Sequence, residues 1–165
     1  MNAECIMNSR MLFSIMRTIS PRMILFKLFC MHKKYLTIGC LLSALAVTLG
    51  AFGAHGLNQW VTAESILTFE TGVRYQFYHS FALLFTGVIY DKFGSKWIRY
   101  AANSFILGII LFSGSLYTLV IFKATDTVGL KSIGIFTPLG GIFFIAGWIF
   151  LLTGLRQNSS PVKSL

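Results

Sequence analysis

Four long apolar stretches occupy most of this chain, at residues 35–52, 72–90, 101–122 and 133–153. Each is close to the ~20 residues with which an α-helix crosses the ~30 Å hydrocarbon core of a bilayer. A helix satisfies its own backbone hydrogen bonds in lipid, whereas four isolated strands cannot close a barrel. The pattern therefore predicts an all-α protein, a four-helix integral membrane bundle.

The composition supports lipid as the surroundings of these helices. Of the 165 residues, 55% are hydrophobic and only 12% are charged, about half the charged fraction of a soluble domain. The formal net charge is +9, but the cations stand singly or in pairs beside the apolar stretches, as membrane anchors do. No basic stripe interleaved with aromatic residues is present. We therefore expect a lipid bilayer as a partner and no nucleic acid.

The flanking cations also predict an orientation. Lys33 and Lys34 precede the first stretch, and the segment DKFGSKWIR between the second and third stretches carries three cations in nine residues. The other two connections carry fewer. Because cytoplasmic segments are enriched in Lys and Arg, both termini are expected in the cytoplasm.

The segment LNQWVTAESILTFE, residues 57–70, is too polar to span a bilayer. Several of its residues nevertheless recur at helical spacing: Leu57, Trp60, Val61 and Glu64. A helix of this kind lies in the plane of the membrane interface. We predict a short interfacial helix between spans one and two.

The chain is divided here into a leader (1–30), a four-span membrane domain (31–156) and a polar C-terminal tail (157–165). The leader is rich in Arg, holds a single acid, Glu4, and has no long apolar span. Three interpretations remain open: a biological start at Met31 with the leader upstream of it, a targeting segment, or a cytoplasmic interfacial segment. Residues 33–54 also resemble a signal peptide, but their apolar run of about 18 residues exceeds the usual 7–15. An uncleaved first helix is therefore favoured.

Small residues recur within the spans at spacings that place them on one helix face. Helices associate in lipid through close backbone contact and interhelical hydrogen bonds, so glycine stripes predict packing faces. In the fourth span, Gly140, Gly147 and Gly154 follow one another at intervals of seven residues. The predicted helix-packing positions are Gly50, Gly53, Gly108, Gly140 and Gly147.

Ionisable or polar groups at membrane depth are candidates for function because their burial is costly. The candidates are His55, Glu70, Arg74, Tyr75 and His79. His55 is interpreted first as a polar cap at the end of the first helix. Glu70 and Arg74 are four residues apart and are expected to pair.

Tyr75 and His79 are also four residues apart and share another side of the helix. His79 is expected to hydrogen-bond Tyr75, Ser80 or a neighbouring helix. A structural histidine is favoured, and a proton or ligand site is the alternative. The polar residues of the third span are expected to form interhelical hydrogen bonds: Asn103, Ser113, Ser115, Tyr117 and Thr118.

Signatures of enzyme chemistry are missing from the sequence. It contains no GxSxG, no HExxH, no phosphate-binding glycine loop and no paired carboxylates within a span. Cys5, Cys30 and Cys40 form no paired spacing, and no ligand spacing of His and Cys occurs. We predict no catalytic residues, no cofactor and no metal.

Four strings occur in a characteristic order: GAFGAHGL (50–57), TGVRYQFYH (71–79), LFSGSLY (111–117) and TPLGGIFFIAGW (137–148). Together they resemble the YgdD/YwdK-type family of small membrane proteins, also called domain of unknown function 423 or the transmembrane protein 256 family. The resemblance covers residues 31–155. It implies a four-helix protein of the bacterial inner membrane, with the mitochondrial inner membrane as the alternative. It supplies no catalytic or ligand-binding residue for this sequence.

Two hypotheses for function follow. The first is a non-enzymatic structural or assembly partner, as a homo-oligomer or within a larger membrane complex. The second is a small proton or solute transporter or channel-like protein with His79 in the path, accompanied by Tyr75 and the serines of the third span.

Overall fold

The structure, a computed structural model, describes residues 33–93, 95–125 and 131–157. The leader and residues 158–165 of the tail lie outside these ranges. The described part is all-α, with four long helices joined by short connections. The helices are α1 (Lys33–His55), α2 (Ala63–Phe93), α3 (Lys96–Ala124) and α4 (Phe136–Gln157), and two 3-10 segments cover Leu57–Gln59 and Lys131–Ile135.

Each predicted apolar stretch coincides with a helical segment, and three of the four are long and apolar enough to cross a membrane. These three are α1, α3 and the segment Ile133–Gln157, which includes α4. The helix α2 has more polar residues, but several of them face the protein: Gln76 is 2% exposed, and Ser80 and Thr86 are fully buried. Hydropathy therefore understates how apolar the outer surface of α2 is.

A separate interfacial helix is not found between α1 and α2 in the described structure. Leu57–Gln59 form one 3-10 turn, and the residues from Ala63 onward are the first turns of α2. The reason lies in packing, because Phe69 and Leu57 are buried in one cluster with Val120 of α3. These contacts pack the first turns of α2 against α3, within the bundle.

Consecutive helices run antiparallel. Gly39 and Gly53 of α1 face Leu84 and Phe69 of α2, respectively. The rings of Phe69 and Tyr117 are 4.9 Å apart, and those of His79 and Phe105 are 5.8 Å apart, which gives the same relation between α2 and α3. The helices α1 and α3 consequently begin at the same end of the bundle.

The seam between α3 and α4 is closed by glycines of α4 that receive large side chains of α3. A Cβ atom on Gly154 would lie 2.6 Å from Ile98 Cδ1, and one on Gly140 would lie 2.7 Å from Phe112 Cα. Backbones this close are typical of small-residue packing in lipid. The seam runs along α3 from Ile98 to Phe112. Phe112 lies in a π-helical turn, Ile109–Ser113, where α3 is wider than a regular α-helix.

Candidate functional site

Gln76 joins three helices at the centre of the bundle. Its Nε2 donates to the Leu42 carbonyl oxygen of α1 at 2.8 Å, and its Oε1 accepts from the Tyr117 hydroxyl of α3 at 2.9 Å. An amide that donates and accepts at once fixes its own orientation. In a low-dielectric core such bonds hold the three helices in one arrangement.

The π-helical turn of α3 adds two serine contacts nearby. Ser113 Oγ donates to the Gly72 carbonyl oxygen of α2 at 2.8 Å, and Ser113 is fully buried. Ser115 Oγ lies 2.6 Å from Thr137 Oγ1 of α4. π-Turns widen a helix and often mark functional sites. Together with Gln76, Tyr117 and His79, these two serines are called the polar core below.

His79 lies three residues after Gln76 on α2 and is 6% exposed. Its Nδ1 is 2.8 Å from the Tyr75 carbonyl oxygen. Because a carbonyl oxygen only accepts, Nδ1 carries a proton and donates. In the neutral ring, Nε2 then holds the lone pair.

Aromatic rings enclose His79. Its ring stacks on Phe144 of α4 with centroids 3.5 Å apart and an interplanar angle of 9°. Further rings lie at centroid distances of 5.8 to 6.3 Å: Tyr75, Phe105 and Trp148. The surroundings of His79 are those of a packed aromatic side chain.

The other predicted polar candidates lie apart from the polar core. His55 is the exposed last residue of α1. Glu70 and Arg74 are exposed on α2, and among the described residues no salt bridge joins them. Arg74 Nη2 donates instead to Thr71 Oγ1 at 3.3 Å. The partner of Arg74 shown by the structure is thus Thr71, three residues earlier, and a pair of Arg74 with Glu70 stays a prediction.

Tyr75 is 41% exposed, and its ring packs against Phe112 with centroids 4.6 Å apart. Its backbone carbonyl, not its hydroxyl, meets His79. The hydroxyl of Tyr75 therefore stays outside the polar core.

The predicted packing glycines differ in how much room they leave. Cβ atoms on Gly53, Gly108 and Gly147 would come within 2.9 Å or less of Phe69, Phe144 and Phe105, respectively. Gly140 is in the α3–α4 seam described above. A Cβ atom on Gly50 would meet Val73 at 3.4 Å, an ordinary van der Waals contact. Gly50 is thus the least constrained of the five.

Gln76 and Phe144 were missed by the sequence interpretation. Gln76 is a neutral amide three residues before His79, and only its spacing from Gly72 hinted that it faces the same neighbours. Phe144 is one of 16 phenylalanines, and nothing local distinguishes it. The helix pairing, which the sequence does not state, gives both residues their roles.

An open cavity of about 620 Å³ lies at the end of the bundle near the start of α2. It is lined by Gln59, Trp60, Val61, Thr62, Ser65 and Lys123. His79 is not among its lining residues. Across the described ranges, no three His, Cys, Asp or Glu side chains gather in a way that would hold a metal ion.

Three helices long and apolar enough to cross a bilayer, joined by small residues and interhelical hydrogen bonds, define a multi-pass α-helical membrane protein. The chain belongs to the family described as "Protein of unknown function (DUF423)", whose sequence profile matches residues 49–141. Its relatives are named UPF0382 membrane proteins.

The similarity extends over nearly the whole length of these relatives. A UPF0382 membrane protein of Haemophilus influenzae is 38% identical over 130 residues, which cover 79% of this chain and 99% of that protein. YwdK of Bacillus subtilis is 37% identical over 121 residues, 73% of this chain and 94% of that protein. The UPF0382 inner membrane protein YgdD of Escherichia coli is 38% identical over 108 residues, 66% of this chain and 78% of that protein. No solved structure is significantly similar to the chain.

Proposed function

We propose that this protein is a non-enzymatic assembly partner whose outer helix faces dock another membrane helix, in a homo-oligomer or in a larger complex. The observation that carries this proposal is a difference between two kinds of glycine. Most helical glycines touch a large side chain of a neighbouring helix, whereas at Gly114 and Gly141 no atom of another described helix lies within 4 Å of where a Cβ would be.

These two open glycines weaken the helices that contain them. Glycine inside a helix costs about 1 kcal/mol relative to alanine, and nothing within the described bundle uses the space beside Gly114 or Gly141. Gly141 is followed on its face of α4 by the exposed residues Ile145 and Trp148, which are 63% and 49% exposed. A small residue bordered by large apolar ones is typical of helix docking in lipid.

The proposed arrangement has four spans. If α1 and α3 cross the membrane from the same end, α2 has to return the chain between them. At 31 residues, α2 is about 46 Å long and exceeds the ~30 Å hydrocarbon core. Its first turns, up to Glu70, then lie at the membrane interface, where the sequence analysis predicted a separate helix.

The proposed location is the bacterial inner membrane, with both termini in the cytoplasm. The name of the E. coli relative as an inner membrane protein supports it. The cations Lys33, Lys34, Lys96 and Arg156 are exposed at the end where α1 and α3 begin and α4 finishes. An excess of cations is typical of the cytoplasmic side.

Transport through His79 is the alternative, and its surroundings weigh against it. A proton or solute path needs water or polar groups next to the carrier, whereas the described neighbours of the His79 ring are Phe144, Phe105, Tyr75 and Trp148. The hydrogen bond from Nδ1 stays within α2. These contacts support a packing role.

The test is the size of the assembly in mild detergent, measured by light scattering and by mass spectrometry of co-purified proteins. We expect a stoichiometric complex that Gly141→Leu disrupts without unfolding the chain. Thr153→Leu is the matched control, because it adds bulk to α4 near its other end. A single chain without partners, or a complex indifferent to Gly141→Leu, would contradict the proposal.

A further inference from the structure

One outward stripe of α3 changes from charged to apolar along its length. Lys96, Arg99 and Asn103 are exposed, and Leu107 and Ile110 follow on the same face with 44% and 59% exposure. Residues three or four apart lie on one side of a helix. A phospholipid in a bilayer has the same order of groups along the membrane normal, an ionic headgroup followed by apolar acyl chains.

The polar end of this stripe forms a corner with α1 and α2. The Tyr35 hydroxyl of α1 donates to Asn103 Oδ1 at 3.3 Å, and the rings of Tyr35 and Tyr90 are 6.0 Å apart. Because Oδ1 accepts from Tyr35, the two amide protons on Nδ2 point elsewhere. Arg99 lies four residues before Asn103 on the same exposed face of α3.

An apolar cluster adjoins this corner, because Tyr35 itself belongs to it. Its buried members also include Leu83 of α2 and Ala102 of α3. Ile38 and Leu42 of α1 and Ile106 of α3 are only partly buried against this cluster. These partly buried side chains offer apolar surface to an acyl chain near the polar corner.

The charges at this end favour an anion. Lys33 and Lys34 lie in the first turn of α1, and Lys96 and Arg99 in the first turn of α3. Cations at a helix N-terminus are opposed by the helix dipole. A phosphate group beside Arg99 would interact favourably with the exposed cations of α3.

We propose that the corner of Tyr35, Arg99 and Asn103 binds the phosphate of an anionic phospholipid, whose acyl chain lies along Leu107 and Ile110. Arg99 supplies the charge and a pair of donors, which suits a phosphate group better than a lysine does. The amide of Asn103, oriented by Tyr35, supplies a further donor. This site requires only that the chain resides in a bilayer and is independent of the assembly proposed above.

The test is native mass spectrometry of the full chain in detergent, titrated with phosphatidylglycerol or with phosphatidylcholine carrying the same acyl chains. We expect the chain to bind phosphatidylglycerol more tightly than phosphatidylcholine. Arg99→Gln should weaken phosphatidylglycerol binding about tenfold, as loss of one charge-assisted hydrogen-bonding group does. Arg156→Gln is the matched control, since it removes an exposed cation from the same end of the bundle on α4. It should leave the affinity nearly unchanged.

A second variant and a soluble competitor sharpen the test. Asn103→Asp keeps an acceptor for Tyr35 but puts a negative charge at the site, so it should abolish the preference for the anionic lipid. Equal affinity of the native chain for both lipids, equal losses in the two arginine variants, or an unaffected Asn103→Asp variant would overturn the proposal. Displacement of the lipid by millimolar glycerol phosphate would also overturn it and assign the site to a soluble phosphate compound.

Discussion

Phe105 of α3 occupies the space that a side chain on Gly147 of α4 would need, since a Cβ atom there would lie 2.6 Å from Phe105 Cε1. One heptad away, the Ile98 side chain occupies the space beside Gly154 in the same way, whereas at Gly140 the backbone of Phe112 itself comes close. In both helices these positions are seven residues apart. The glycines of α4 therefore admit large side chains of α3 at two positions and its backbone at the third.

Replacing Gly147 by leucine should destabilise the bundle. The new side chain would have to displace Phe105, which is fully buried and contacts Trp148 with ring centroids 5.2 Å apart. Overpacking of this kind costs about 1–3 kcal/mol. The measurement is the free energy of unfolding in a detergent that keeps the chain as a single copy.

Gly141→Leu is the control for this prediction. It makes the same substitution on the same helix, at a glycine with open space beside it. Its unfolding free energy should not fall and should rise by up to about 1 kcal/mol, because leucine replaces a glycine inside a helix at a position with open space. Equal unfolding free energies of the Gly147→Leu and Gly141→Leu variants would contradict the close contact between α3 and α4.

Replacing Gln76 by leucine should leave two groups without their partner. The Tyr117 hydroxyl and the Leu42 carbonyl both bond to Gln76, and hydrogen bonds between membrane helices contribute about 0.6–2 kcal/mol each. Tyr117→Phe removes one of these groups. In a double-mutant cycle, the two substitutions together should cost less than the sum of each alone.

Thr48→Val provides a baseline for Gln76. Thr48 is exposed, and its hydroxyl donates to the Ala44 carbonyl within α1 at 3.0 Å. Its replacement should change the unfolding free energy little. Additive losses from the Gln76 and Tyr117 variants would show that the bridge between helices contributes nothing as a unit.

Substitutions of His79 distinguish a packing role of this residue from a transport role. His79→Phe keeps an aromatic ring against Phe144 and loses only a hydrogen bond made within α2, so it should retain most of the stability. His79→Ala removes the ring and should cost about 2–4 kcal/mol, as other large-to-small changes in a core do. Proton or solute flux into vesicles that is present in the native chain and absent in a stable His79→Phe variant would instead establish the transport alternative.

The sequence was most informative where one residue type implies one geometry. Long apolar stretches predicted the helices because hydrocarbon leaves the backbone no other economical structure. Only the start of α2 differed substantially, since the polar residues before Gly72 belong to the same helix. Helical spacing predicts that a segment is helical, but it does not predict whether that segment is a separate helix or the first part of the next one.

Relations between helices were harder to foresee. The polar residues of the third span were expected to bond across helices, and Ser113 and Ser115 do so, whereas Thr118 bonds to Gly114 of its own helix at 2.7 Å. A regular 3.6-residue period does not anticipate the π-helical turn at Ile109–Ser113, which rotates every later residue of α3. Tyr117 follows that turn, so its bond to Gln76 depends on the rotation. The partners of His79 depend on the pairing of α2 with its neighbours.

The crossing of α2 can be tested by labelling single cysteines from one side of the membrane. With the three native cysteines replaced by serine, Gln59→Cys lies before α2 and Lys96→Cys after it, and both positions are exposed. If α2 spans the bilayer, a membrane-impermeant maleimide added to intact cells should label residue 59 and reach residue 96 only after lysis. Arg156→Cys should behave like residue 96, because α3 begins and α4 finishes at one end of the bundle. Labelling of residues 59 and 96 from the same side would remove α2 as a span, and the reverse pattern would place both termini outside.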